Sequence, residues 1–322
     1  MYAIAEQVKN WADAERPVHV ATVVATQGFS SREPAASAAW TDGAPAVGRL
    51  VEGIAPETLP RDGLVDVSIS QEEAVAAGLA CGGRASILVR PAGAYPAELW
   101  DRLLAREPVC LVVPVNDPQA TATLYTPETI RDAHDFGDEV PRLFGRGTTD
   151  AALIGDSAVL AFWPVPTMVV MGDGLIADAL RDTGRLLGWQ VQVLPEVQHA
   201  VSAVSELSAS DAVVVLSHDR AADGPTLAAA LGSAVGYVGA LGSRRTQVAR
   251  TEWLTEHGIA SEVQARIHGP AGLDIDAHSP AEIAISIVAE IIANRGAGTG
   301  GALRSRPGPV HMAGVQAPPP RY

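Results

Sequence analysis

Lysine is all but missing: Lys9 is the single lysine in 322 residues, so the other 22 of the 23 basic side chains are arginine. A P-loop or a Schiff-base site needs a lysine in the body of the fold, which excludes ATP-driven and pyridoxal chemistry. Cysteine is scarce as well. Cys81 and Cys110 cannot build the multi-bridge framework of a secreted domain or a cysteine-based zinc site, and a reducing, cytoplasmic setting is the expectation. The eight histidines show no metal-ligand spacing with acids or cysteines, so no metal site made of protein side chains is expected. Positive charge is in deficit, 23 basic against 37 acidic residues for a net −14. A surface that neutralises phosphates in bulk carries the opposite sign, so nucleic acid is not an expected partner. The uncharged stretch 157–172, SAVLAFWPVPTMVVMG, has 16 residues and two prolines, short of the ~18 of a membrane span. No span is expected.

What is present is globular composition, 47% hydrophobic and 19% charged, in a length that favours two domains. The opening MYAIAEQVKNWADAERP sets Ile4, Val8 and Trp11 at helical spacing among acids, unlike the basic-then-apolar order of a signal peptide. HVATVVATQG (19–28), ASILVR (85–90) and VCLVVPV (109–115) read as buried strands, and 151–163 splits at Gly155-Asp156 like a hairpin. Pro164-Val165-Pro166 stops helix and ladder alike. Beyond it apolar strands alternate with helical patterns: TMVVM, LIADALRDTGRLLG, QVQVL, AVVVL, PTLAAALG, VGYVGAL. That alternation predicts βαβ units and a parallel sheet with helices on both faces. Ser279-Pro280-Ala281-Glu282 supplies a capping box to a last helix in which Ile283, Ile287 and Ile291 recur. The fold expected is therefore α/β: a mixed α/β domain over 1–163, a Rossmann-like domain over 167–295, and a flexible tail over 296–322.

Four segments of the second half carry candidate chemistry. Gly172-Asp173-Gly174-Leu175-Ile176-Ala177 stands between a strand and a helix, where glycines let the backbone approach a phosphate at a helix N-terminus. Gly172, Gly174 and Ala177 are the candidate residues, with Glu196 as the ribose-binding acid about 20 residues on; tight helix–strand packing explains the glycines equally well. Ser217-His218-Asp219 follows a strand, so His218 and Asp219 either face the ligand crevice or cap the next helix. Gly242-Ser243-Arg244-Arg245 brings helix amides and two guanidiniums together, an anion site unless Ser243 is only an N-cap. The turn-rich HGPAGLDID (268–276) aims Asp274 at the same edge. In the first half, Cys81 beside Gly82-Gly83-Arg84 is either an accessible thiolate or a small buried hydrophobe, Arg32 follows the first strand, and Cys110 reads as core.

SHD (217–219), YVGALGSRR (237–245), HGPAGLDIDAHSPAEIAISIVAEII (268–292), ATVVATQGFSSREP (21–34) and ACGGRASILVRP (80–91) together resemble the XdhC/CoxI family, accessory factors of xanthine dehydrogenase and carbon monoxide dehydrogenase type enzymes. The resemblance implies a homodimeric, cytoplasmic chaperone that binds molybdenum cofactor, assists its sulfuration alongside a cysteine desulfurase, and hands it to a molybdenum hydroxylase apo-enzyme. It assigns Cys81 and His218 to the chemistry, and the glycines, Glu196, Asp219, Ser243, Arg244, Arg245, Asp274 and Arg32 to cofactor binding. The chain departs from the family pattern where Ile54 replaces a cysteine, where Asp173 and Leu175 stand in the glycine turn, and where Pro195 occupies the position of the acid after the second Rossmann strand. An NAD(P)-dependent oxidoreductase, suggested by the GxGxxA turn, and a non-catalytic interaction module are the alternatives.

Overall fold

A computed structural model describes residues 1–28, 34–76, 82–117, 119–217, 220–295, 299–302 and 304. The tail expected over 296–322 lies mostly outside them. The chain divides between Pro164 and Val165 into two compact units.

In the first unit, α1 (Tyr2–Asp13) buries Ile4, Ala5, Val8 and Trp11, the stripe its spacing predicts. Strand β1 (Val18–Gln27) is buried over its first seven residues, because it is the middle of a five-stranded sheet. Antiparallel to it run β2 (Ser37–Thr41) and β5 (Gly83–Pro91), and β3 (Val47–Gly48) and β4 (Gly63–Ile69) complete the order β3-β2-β1-β5-β4. A second antiparallel sheet, β7-β6-β9-β8, contains β6 (Val109–Pro114), β7 (Thr123–Tyr125), β8 (Asp150–Ile154) and β9 (Ser157–Phe162). Strands β8 and β9 form the expected hairpin, Ile154 opposite Ser157, with Gly155 supplying φ +57° at the turn. The helices α2 (Gln71–Ala76), α3 (Glu98–Leu104) and α4 (Glu139–Phe144) are short. Arg90 on β5 is 1% exposed, and its guanidinium donates to the carbonyls of Pro114 and Asp117, both at 3.1 Å, and of Ala120.

The second unit is the alternating α/β domain that the sequence predicts. Strands β10 (Thr167–Met171), β11 (Gln190–Leu194), β12 (Ala212–Val215), β13 (Tyr237–Ala240) and β14 (Ile267–His268) pair in parallel in the order β11-β10-β12-β13-β14. Strand β10 is buried at every residue, as a parallel strand covered on both faces must be. Its alternation partitions the helices. Met168 and Val170 pack under α5 (Leu175–Leu186) and α10 (Pro280–Arg295) with Leu180, Ala284, Ile287 and Ile291. Val169 and Met171 pack on the other face against α6 (Val197–Val204), α7 (Arg220–Leu231) and α8 (Arg244–Glu256) with Val204, Leu227, Leu231 and Leu254. The short helix α9 (Ser261–Gln264) leads to β14.

Two features differ from the sequence reading. Two-residue β14 falls in a segment read as loop, being too short to show a period. Helix α7 starts at Arg220, ahead of Pro225. The turn before the proline is held from outside, by Asp223 paired with Arg250 at 2.7 Å and by Gly224 lying flat against Trp253, whose ring a Cβ there would meet.

The capping box of α10 forms as predicted: Ser279 Oγ accepts from Glu282 N–H at 3.3 Å, and Glu282 Oε2 accepts from the N–H of Ser279 at 2.8 Å and of His278 at 3.0 Å. The backbone bond from Ser279, then that from His278, holds the Glu282 carboxyl down at about 2 against an ordinary 4.5. Its stabilising effect is therefore complete above pH 4.5 and is lost as the pH falls toward about 2. Urea denaturation followed from neutral pH downward should show this acid-side loss in the native chain and a flatter profile in Glu282→Gln, which keeps the box but not the titration. Ser279→Ala, which removes the cap acceptor, should cost about 1 kcal/mol at neutral pH.

Candidate functional site

In an open parallel sheet ligands bind beyond the carboxyl ends of the strands, where the strand order reverses. Here that point lies between β10 and β12, the first and third strands of the unit. The chain leaves β10 through Gly172, whose N–H donates to Leu194 O at 3.3 Å at the end of β11, while Leu216 N–H donates to Met171 O at 2.9 Å. Glycine is required there: φ is +118°, and a Cβ would stand 3.2 Å from Leu216 Cβ and 3.4 Å from Ser217 N. Gly174 (φ +90°) is the N-cap of α5, and no side-chain cap bond is made to the amides of that first turn. Asp173 is exposed, and Leu175 is 73% exposed. Ala177 is 1% exposed and lies in the core under α5, on the packing side of the motif.

The loop after β13 is built the same way. Leu241 N–H donates to Val215 O at 2.8 Å, Gly242 takes φ +132°, and Ser243 caps α8 by accepting from Thr246 N–H at 3.3 Å. Arg244 and Arg245, the first two residues of α8, are exposed, and neither makes an ion pair or hydrogen bond with a described residue. Two guanidiniums thus stand free beside a helix N-terminus that carries about half a positive charge of its own.

Partly buried bonds stitch these loops together. Gln247 Nε2 donates to Ala240 O at 3.1 Å and to Gly242 O at 3.4 Å, and Ala271 N–H donates to Ala240 O at 3.1 Å, joining the loops after β13 and β14. Gly272 N–H donates to Glu290 Oε2 on α10 at 2.7 Å, Tyr237 Oη donates to the same oxygen at 2.6 Å, and His268 Nδ1 lies 3.1 Å from Glu290 Oε1. Burial by itself would raise the Glu290 carboxyl; the bonds from Tyr237, Gly272 and His268 together outweigh it and hold the group below the usual range. Burial, then the bond to Glu290, pushes the Tyr237 phenol up. Asp274 follows in this loop and is exposed.

Of the residues expected from sequence, the structure brings Gly172, Gly174, Gly242, Ser243, Arg244 and Arg245 to the carboxyl rim. Glu196 caps α6 at the end of β11, exposed and 3.3 Å from His199 Nδ1. Cys81, Arg32, His218 and Asp219 lie outside the described residues. Cys110 is buried in β6, and burial pushes its thiol up to about 12, so it supplies no thiolate. In the first unit Ile54, which stands where the family pattern has cysteine, lines an open cavity of about 780 Å³ with Leu59, Val65, Val67 and Ile69. Among the described residues no three His, Cys, Asp or Glu side chains are grouped to hold a metal ion, and no helix is long and apolar enough to cross a membrane. Sequence reasoning missed Arg250, Asp223, Gln247, Tyr237 and Glu290. Arg250 had a signal: it follows Ser243 by two helical turns, which sets it on the same face as the cap.

Switch-point glycine turn, parallel sheet and helices on both faces define a doubly wound α/β domain. The profile described as XdhC Rossmann domain matches residues 168–291, which span the second unit. Among curated proteins, Uncharacterized protein YqeB of Escherichia coli (strain K12) is 31% identical over 169 residues, 47% of this chain and 31% of that protein. Molybdenum cofactor insertion chaperone PaoD of the same organism is 28% identical over 220 residues, 67% of this chain and 61% of PaoD. The chain thus spans about a third of one relative and about three fifths of the other. A crystal structure described as a xanthine dehydrogenase from Bacillus halodurans is 18% identical, with 91% of this chain and 95% of that one covered at a TM-score of 0.40.

Gly172→Ala and Gly174→Ala should each cost about 1 to 3 kcal/mol, because both force a side chain into a glycine-only backbone region. Gly172→Ala should cost the more, since its Cβ also meets Leu216, whereas nothing lies within 4 Å of a Cβ at Gly174. Urea denaturation of the two variants checks the order.

Proposed function

We propose that this chain is a maturation factor for molybdenum enzymes: a cytoplasmic, homodimeric chaperone that holds molybdenum cofactor and passes it to an apo-enzyme of the xanthine dehydrogenase type. The match of residues 168–291 to the XdhC Rossmann domain and the relative named as a molybdenum cofactor insertion chaperone support the reading. The observation that carries it is the pair of exposed, unpaired guanidiniums, Arg244 and Arg245, at the capped N-terminus of α8. The cargo carries a phosphate at one end and metal-bound sulfur at the other. Arg244, Arg245 and the Ser243 turn take the phosphate by charge-assisted hydrogen bonds. Gly172, Gly174 and Gly242 let the backbone come close, and Glu196, Asp219 and Asp274 offer acceptors to hydroxyl and amino groups around it. For the sulfur chemistry Cys81 is the candidate thiol, with a cysteine desulfurase as sulfur donor, because Cys110 is buried and protonated. No turnover of a small substrate is required: the work is binding, shielding and release.

Calorimetric titration under anaerobic conditions with molybdenum cofactor freed from a molybdenum hydroxylase tests the proposal. The native chain should give saturable heat, and Arg244→Glu with Arg245→Glu should weaken binding by about 2 kcal/mol or more, some thirtyfold. Absence of heat with the native chain sinks the reading. Saturable NAD(H) fluorescence lost in Gly174→Val would instead favour the oxidoreductase suggested by the glycine turn.

A further inference from the structure

We infer that the buried pair Arg250–Asp223 is a positioning device for the rim: it sets the first turn of α7, the N-terminal half of α8 and the strand-end backbone at Ser217 and Leu241 in the arrangement that receives an anion. The ligand part of this rests on the cofactor-binding reading; the geometry does not. Arg250, in the second turn of α8, is 3% exposed, and Asp223, in the first turn of α7, is 1% exposed. Arg250 Nε and Nη2 both donate to Asp223 Oδ2, at 2.8 and 2.7 Å. Nη2 also donates to Ser217 O at 2.8 Å, and Nη1 to Leu241 O at 2.6 Å. Strands β12 and β13 end at Val215 and Ala240, so these two carbonyls belong to the loops leaving adjacent strands at the switch-point edge. The loop after β13 runs on into Ser243-Arg244-Arg245.

A single planar cation thus fixes four things at once: two loop carbonyls, the first turn of α7 and the body of α8. Its charge is met by Asp223 and most of its donors are occupied, so it holds the site without being the part that grips the ligand. Arg244 and Arg245, on the same helix and exposed, are left for that. A lysine at 250 has a compact ammonium in place of the fork and cannot span carboxylate and both carbonyls together. The pairing also opposes two helix N-termini drifting apart, which would scatter the amides and guanidiniums that an anion must meet simultaneously.

The informative variant is Arg250→Met combined with Asp223→Leu, which removes both charges at similar volume. Such replacements of a buried pair are often neutral in overall stability, whereas Arg250→Met alone strands a buried carboxylate. The double variant should keep a Tm near that of the native chain. Its amide exchange should nonetheless rise about tenfold at 216–217 and 241–246 while β12 and β13 stay protected, and its affinity for freed molybdenum cofactor should fall about tenfold. Arg250→Lys should fall between the two. Unchanged loop exchange in a folded double variant overturns the inference. So does a rise spread evenly over β12, β13 and the loops with a falling Tm, which marks general stability alone. If the native chain binds no cofactor, the proposed function fails, and the exchange comparison still decides the role of the pair.

Discussion

A guanidinium shut away from water has five N–H groups to satisfy, and the chain meets that demand in each unit by turning it on loop carbonyls. Arg90, 1% exposed in the first unit, serves three carbonyls between Pro114 and Ala120, with Asp62 at 3.4 Å to balance its charge. Arg250, 3% exposed in the second, serves Ser217 and Leu241 with Asp223 as counter-ion. A buried carbonyl left without a donor costs about 1 to 3 kcal/mol, so irregular loops at strand ends need some such group if they are to pack against the body of a domain. The near absence of lysine acquires a structural meaning here. A tetrahedral ammonium directs its three donors from a single point; a planar fork spreads five donors and reaches carbonyls on different loops at fixed angles.

The same constraint explains how an acidic protein presents a cationic site. Net charge is −14, yet charges separated by more than about 10 Å are screened from one another at physiological salt, so a local arrangement prevails over the total. At the end of β13 a helix N-terminus, a serine cap and two unpaired guanidiniums coincide. The arginine that carries no free charge, Arg250, is the one buried beneath them. Division of labour between a neutralised, buried arginine and exposed, available ones follows from desolvation: a buried cation must be paired, and a paired cation has little left for a ligand.

Much of the second unit was legible as sequence because its rules are local. Strand TMVVM is apolar at every position, as a strand covered on both faces has to be, and it is β10, buried throughout. Ser279 and Glu282 stand three residues apart and make the box that this spacing allows. The glycine turn and Ser243 were found for the same reason: positive φ and helix caps leave their mark on one or two residues. The two-residue strands β3 and β14 were not, since no period exists over two residues. Helix α7 was read from Pro225 onward, because proline ordinarily ends a helical pattern and the turn that precedes it is supported by contacts from α8, distant in sequence.

Sequence by itself determined the class of the fold, its alternation in the second half, and where backbone would bend sharply enough to leave amides exposed, because each of these depends on residues within a few positions of one another. Tertiary structure alone decided which charged side chains are partners and which are available. Asp223 and Arg250 lie 27 residues apart and meet only because α7 and α8 pack on the same face of the sheet. Nothing in their neighbours distinguishes Arg250 from Arg244 or Arg245 in charge or helix membership; burial does, and burial is a property of the assembled sheet and its covering helices.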